Sequence, residues 1–200
     1  MVTGPSLPSP LALAARVGRI LEDLGVPWLL GGSLASSLYG EPRTTLDVDL
    51  VAALDPSTVG PFFRALGEEF YADPDGAREF VERGGEFNII HLPSMTKVDI
   101  FPPSRGTDPD GQFRRRRKVV LPGGEGEIYV SSPEDTVLQK LIWYEEGGGV
   151  SDRQWRDVMG ILKVLGGSLD LEWIAGRAEA LGLASLLGRA LAEAGLPEKE

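Results

Sequence analysis

The sequence predicts an α+β protein: a mixed β-sheet flanked by helices, followed by a C-terminal helical portion. Three observations lead there. Up to about residue 130, short apolar runs of strand length alternate with segments of helical periodicity. Two of those runs, Leu46 to Ala52 and Lys97 to Phe101, carry acids at alternate positions opposite Val and Ile, the mark of strands with one face in a core. From Ser132 onward the pattern is almost wholly helical. The expected division is therefore an α/β portion over 1–130 and a helical portion over 131–200 packed on it.

The elements follow in order. Leu11 to Leu24 has apolar residues at helical spacing and stops at Gly25. Pro27 opens a strand through Leu30, which runs into Gly31-Gly32-Ser33, and Leu34 to Tyr39 reads as a short helix. After the strand Leu46 to Ala52 come helices at Pro61 to Phe70 and Ala77 to Arg83. Phe87 to Leu92 and Lys97 to Phe101 are joined as a hairpin by Pro93-Ser94-Met95-Thr96. Asp108 to Gln112 reads as a surface loop, and Lys118 to Leu121 and Glu127 to Val130 as strands. Ser132-Pro133-Glu134-Asp135 is a helix start, with Pro in the first turn and acids after it. That helix reaches about Tyr144, and helices over Ser151 to Leu165, Leu171 to Leu181 and Leu183 to Ala194 follow.

Composition narrows the function classes. The 200 residues contain no cysteine, which excludes disulfides, thiolate metal sites and a cysteine nucleophile. The formal net charge is −10, so a long nucleic acid has no broadly basic face to bind; only Arg114 to Lys118 forms a local cluster. No apolar run is long enough to cross a bilayer, and MVTGPSLPSP lacks the basic start and apolar centre of a signal peptide. A cytoplasmic location without a membrane partner is expected.

The chemistry concentrates in two places. A strand, a glycine turn and a helix start at Gly31, Gly32 and Ser33 form a phosphate cradle, because the first amides of a helix have no partner within it. Asp47 and Asp49 lie two apart on a strand, so both carboxylates point from one face and repel unless cations compensate. Asp99 repeats the pattern on Lys97-Val98-Asp99-Ile100-Phe101. Were the two strands neighbours, three acids would converge, a donor set suited to two Mg²⁺ ions about 3.5–4 Å apart. Asp99 would then be the third ligand or the base that takes a hydroxyl proton.

Gly32-Ser33, thirteen residues, then Asp47-Val48-Asp49-Leu50 and a later strand acid together resemble the nucleotidyltransferase superfamily, which shares the fold of DNA polymerase β. The resemblance implies Gly31, Gly32 and Ser33 around the phosphates of an NTP substrate, such as ATP. It implies Asp47, Asp49 and Asp99 as metal ligands and catalytic acids, with two Mg²⁺ ions as cofactors. Arg43-Thr44-Thr45-Leu46-Asp47-Val48-Asp49, Lys97-Val98-Asp99-Ile100 and the helical residues Lys140-Leu141 and Arg156-Asp157 look more specifically like AbiEii-like abortive-infection toxins. Gly160 departs from that branch, which often has a second acid near this position. The implied activity is transfer of a nucleoside monophosphate to an acceptor hydroxyl of RNA, protein or a small molecule such as an antibiotic. For a toxin, an antitoxin protein would be a partner. A non-catalytic nucleotide- or partner-binding module is the alternative.

Several residues carry two readings. Arg43 and Lys97 either hold a triphosphate or neutralise the acids. Lys140, on a mostly apolar helix, either serves the nucleotide site or snorkels to the surface. Arg153, Arg156 and Asp157 bind substrate or form i,i+4 pairs (Asp152 with Arg156, Arg153 with Asp157). Arg114 to Lys118 grips an RNA acceptor or is solvated. His91 is expected to be structural, and Gly147-Gly148-Gly149, with no following Lys-Ser/Thr, to be a helix connection rather than a P-loop.

Overall fold

The computed structural model describes residues 7–103 and 109–197, and the side chains of those residues except 109 and 110. It resolves into two compact units, one of 1–31, 45–103 and 116–130, the other of 32–44, 104–115 and 131–200.

The first unit holds a seven-stranded mixed sheet in the order β3-β4-β5-β2-β1-β7-β6. Its strands are β1 (Trp28–Leu30), β2 (Val48–Ala52), β3 (Phe70–Tyr71), β4 (Phe87–His91), β5 (Thr96–Phe101), β6 (Arg117–Val120) and β7 (Glu127–Val130). β2 runs parallel to β5 and antiparallel to β1, while β1 is parallel to β7. Helices α1 (Pro10–Asp23), α3 (Pro56–Leu66) and α4 (Pro74–Arg83) complete the unit. Trp28, Leu29, Leu30, Val48, Leu50, Ile89, Val98 and Ile100 from the sheet are buried, as are Leu13, Val17 and Leu21 from α1. This is the mixed sheet with flanking helices that the sequence predicts.

Three local expectations need correction. The helix expected over Pro61 to Phe70 is α3, which starts at Pro56 because Asp55 and Thr58 close a reciprocal capping box. It ends before Gly67, freeing Phe70 to pair with His91 as β3. The strand expected from Leu46 begins at Val48, which leaves Leu46 and Asp47 exposed ahead of it. Pro109 to Gln112, expected as part of a surface loop from Asp108, lie in helix α5 (Pro109–Arg115); Asp108 lies outside the described residues.

The second unit contains α2 (Gly32–Tyr39), α5, α6 (Pro133–Glu146), α7 (Asp152–Leu165), α8 (Leu171–Ala180) and α9 (Ala184–Ala194). Ser132, Ser151 and Asp170 cap α6, α7 and α8 through side-chain oxygens that accept backbone amides. Val137, Leu138, Leu141, Val158, Ile161, Leu162, Ile174, Leu187 and Leu191 form its core. α2 ends against α7 at a place with no room for side chains. A Cβ on Gly40 would lie 2.7 Å from the carbonyl carbon of Gly160, and one on Gly160 would lie 3.1 Å from the amide of Glu41. The glycine that departs from the toxin-like pattern therefore has a packing reason.

Candidate active site

In the first unit the register of three strands lays polar residues across the sheet. Asp49 on β2 stands opposite Asp99 on β5, which stands opposite Asn88 on β4. Alternation leaves these residues off the buried face, which is occupied by Val48, Leu50, Val98, Ile100 and Ile89. On the other side of β2, the amide of Gly31 donates to the carbonyl of Asp49 at 2.9 Å, tying the entry of the glycine turn to the acidic strand. Asn88, the chain's single asparagine, carried no signal in the sequence beyond lying on a strand; its place appears only through register.

Two like charges in register are costly, and Lys97 offsets them. Its Nζ lies 2.8 Å from Asp99 Oδ2. The hydrogen bond that the ammonium donates to Asp99, together with the charges of Asp99, Asp47 and Asp49, holds it above the ordinary lysine value despite partial burial. All three predicted acids thus act electrostatically on one cation. They do not form a finished cage: among the described residues no three His, Asp or Glu side chains are grouped to hold a metal ion. Asp49 and Asp99 are brought together by pairing, whereas Asp47 is exposed at the head of β2. The donor set still fits Mg²⁺ chemically, since carboxylate oxygens are its preferred protein ligands and their combined field already favours a positive charge.

The second unit carries a different cluster. Gly32 takes φ 58 at the start of α2, a backbone conformation that glycine adopts without penalty. Ser33 Oγ accepts a hydrogen bond from Arg43 Nη2. Arg43 Nε donates to Asp157 Oδ1 at 3.2 Å, while Asp157 Oδ2 lies 2.8 Å from Lys140 Nζ and accepts from Ser36 Oγ at 3.1 Å. Lys140 is 2 % exposed and the Asp157 side chain 5 %. Lys140 is therefore neither at the surface nor snorkelling; it is a buried, ion-paired lysine on α6. Of the two readings of Asp157, substrate binding or an i,i+4 pair with Arg153, the structure shows a third arrangement, in which its carboxylate is bonded to Arg43 and Lys140.

The basic run is largely engaged within the protein. Arg115 makes a bidentate bond to Asp135 (3.0 and 2.7 Å) and stacks 4.2 Å over Trp173. Arg116 donates to the Trp28 carbonyl and lies 3.8 Å over the Tyr129 ring, and Lys118 pairs with Glu127. His91 is buried against Phe70 with its Nδ1 2.7 Å from Ser94 Oγ, as expected of a structural histidine.

Solved structures with this architecture are nucleotidyltransferase-like. One is an antigenic nucleotidyltransferase-like protein from Paracoccidioides brasiliensis (16% identity, 93% of this chain and 91% of that one, TM-score 0.56). Another is the antibiotic-resistance factor ANT(2'')-Ia. Its crystal structure in complex with adenylyl-2''-tobramycin matches at 14% identity over 86% of this chain and 97% of that one, with a TM-score of 0.53. Its solution structure matches at 15% identity over 92% and 93%, with a TM-score of 0.51. At such identities the likeness establishes the nucleotidyltransferase fold. No family model and no curated protein matches the chain.

Proposed function

We propose that the chain is a Mg²⁺-dependent nucleotidyltransferase that moves a nucleoside monophosphate from an NTP to an acceptor hydroxyl and releases pyrophosphate. The observation that carries the reading is the row Gly31, Asp49 and Asp99, in which the glycine turn is hydrogen-bonded to the acidic strand. Asp47 and Asp49, with Asp99, would hold Mg²⁺, which neutralises phosphate charge and activates the attacking oxygen when bound. Gly32 and Ser33 would receive the phosphates at the start of α2, with Arg43 beside them. The acceptor oxygen forms a bond to the α-phosphorus as the bond to the pyrophosphate oxygen breaks. The hydroxyl proton passes to the Asp99 carboxylate, held in place by Lys97.

For the acceptor, a cationic small molecule is favoured by two observations. The net charge is −10, and three of the five residues of the basic run, Arg115, Arg116 and Lys118, are engaged by Asp135, Trp173, Tyr129 and Glu127. The fold neighbour ANT(2'')-Ia, bound to an adenylylated tobramycin, is consistent with such a substrate. The test is incubation with each labelled NTP, Mg²⁺ and a panel of aminoglycosides, RNA and protein. Label should pass to a polycation and be abolished by Asp49→Ala. Transfer to RNA would instead favour the toxin role with an antitoxin partner, and transfer that survives Asp49→Ala would refute the assignment of the acids.

A further inference from the structure

We infer that Asp157 is a positioning residue: it orients the Arg43 guanidinium against Ser33, so that nucleotide affinity depends on a buried carboxylate that does not itself touch the nucleotide. The inference rests on the reading of Gly32-Ser33 as the phosphate cradle. Arg43 sits in the segment after α2 that has no helix or strand to fix it. Its backbone amide reaches Ser37 Oγ only at 3.4 Å, so the orientation of its side chain must come from elsewhere. Asp157 supplies it. Neutralising the buried Lys140 would require one carboxylate oxygen, and Oδ2 performs that task while also accepting from Ser36. Oδ1 is turned to Arg43 Nε. With Nε held by Oδ1, Nη2 of the same planar fork donates to Ser33 Oγ. Arg43 Nη1 makes no bond among the described residues, which leaves a donor edge for an anion.

The alternative is that Asp157 exists only to neutralise Lys140. The paired variant Asp157→Leu with Lys140→Met separates the two, because it removes both buried charges and the acceptor of Arg43 together with apolar side chains of similar volume. NTP binding to the full chain would be measured by titration calorimetry, with Arg43→Gln and Arg43→Lys alongside. We expect the paired variant to bind the preferred NTP roughly tenfold or more weakly, the loss typical of a charge-assisted hydrogen bond. Adding Arg43→Gln to it should cost nothing further, since the two changes act through one guanidinium. Arg43→Lys, a partly exposed substitution in an irregular segment, should weaken binding like Arg43→Gln because an ammonium cannot span both partners. It also provides the test if the paired variant fails to fold. In parallel, the Arg43 Nε–H resonance should be protected in the wild type and lost in the paired variant. Binding retained by the paired variant or by Arg43→Lys overturns the positioning role. A wild type with a protected Arg43 Nε–H that binds no NTP overturns the nucleotide reading instead.

Discussion

Asp49 and Asp99 face one another in register on adjacent parallel strands, and the Lys97 ammonium lies 2.8 Å from Asp99 Oδ2. Lys97, itself half exposed, offsets part of the repulsion between the acids. Lys97→Met should therefore lower stability in EDTA, by no more than about 1 kcal/mol given that exposure. Saturating Mg²⁺ should raise the melting temperature of the variant more than that of the wild type, because a bound cation takes over the lost compensation. Because the folded Lys97 value is raised, its contribution is intact below the ordinary lysine value and disappears as pH climbs through the folded one. A Mg²⁺ response identical in the two proteins would mean that the acids do not share a cation.

His91 gives a pH dependence of the opposite kind. Burial pushes its ring below the ordinary histidine value, with the Arg16 charge adding and Glu69 opposing. The neutral ring belongs to the folded state, so its contribution is complete above the unfolded value and is lost as pH falls through it. Stability should decline as pH falls below about 6.5, the ordinary histidine value, and His91→Gln should flatten that part of the curve. Thermal melts across this range, in the wild type and the variant, provide the check.

Gly40 and Gly176 offer a paired test of packing. A methyl on Gly40 meets backbone at 2.7 and 2.8 Å, atoms that cannot rotate aside, whereas one on Gly176 in α8 meets nothing within 4 Å. Gly40→Ala should cost about 1–3 kcal/mol and Gly176→Ala should gain up to about 1 kcal/mol from helix propensity. Denaturant midpoints of opposite sign are the expected outcome.

What could be read from the sequence follows the range of the interactions. Asp49 and Asp99 were legible because strand alternation is local, and Gly32-Ser33 because a strand, a glycine and a helix start are contiguous. Helix α5 was not, since its last residue is anchored by Asp135, twenty positions away, and by Trp173. Asp157 was least legible of all. Its partner Arg43 is 114 positions distant, and an Arg-Asp pair on a helix has the same appearance whether it faces solvent or a buried lysine. Asp47 shows the limit of periodicity in the other direction: the alternation continues one step beyond the strand, which begins at Val48.

The two charges of the buried pair should not be equally costly to remove. Asp157→Ala removes the carboxylate 2.8 Å from the buried Lys140 ammonium, and breaking a buried pair typically costs about 3–5 kcal/mol. Lys140→Met leaves the carboxylate with Arg43 Nε and the Ser36 hydroxyl, and replaces the lysine stem by a flexible apolar chain of similar length next to Trp143. Its cost should be at most half as large. Urea unfolding of both variants measures the order directly. An equal loss in the two would mean that Arg43 and Ser36 contribute nothing to satisfying Asp157, and that the carboxylate depends on Lys140 alone.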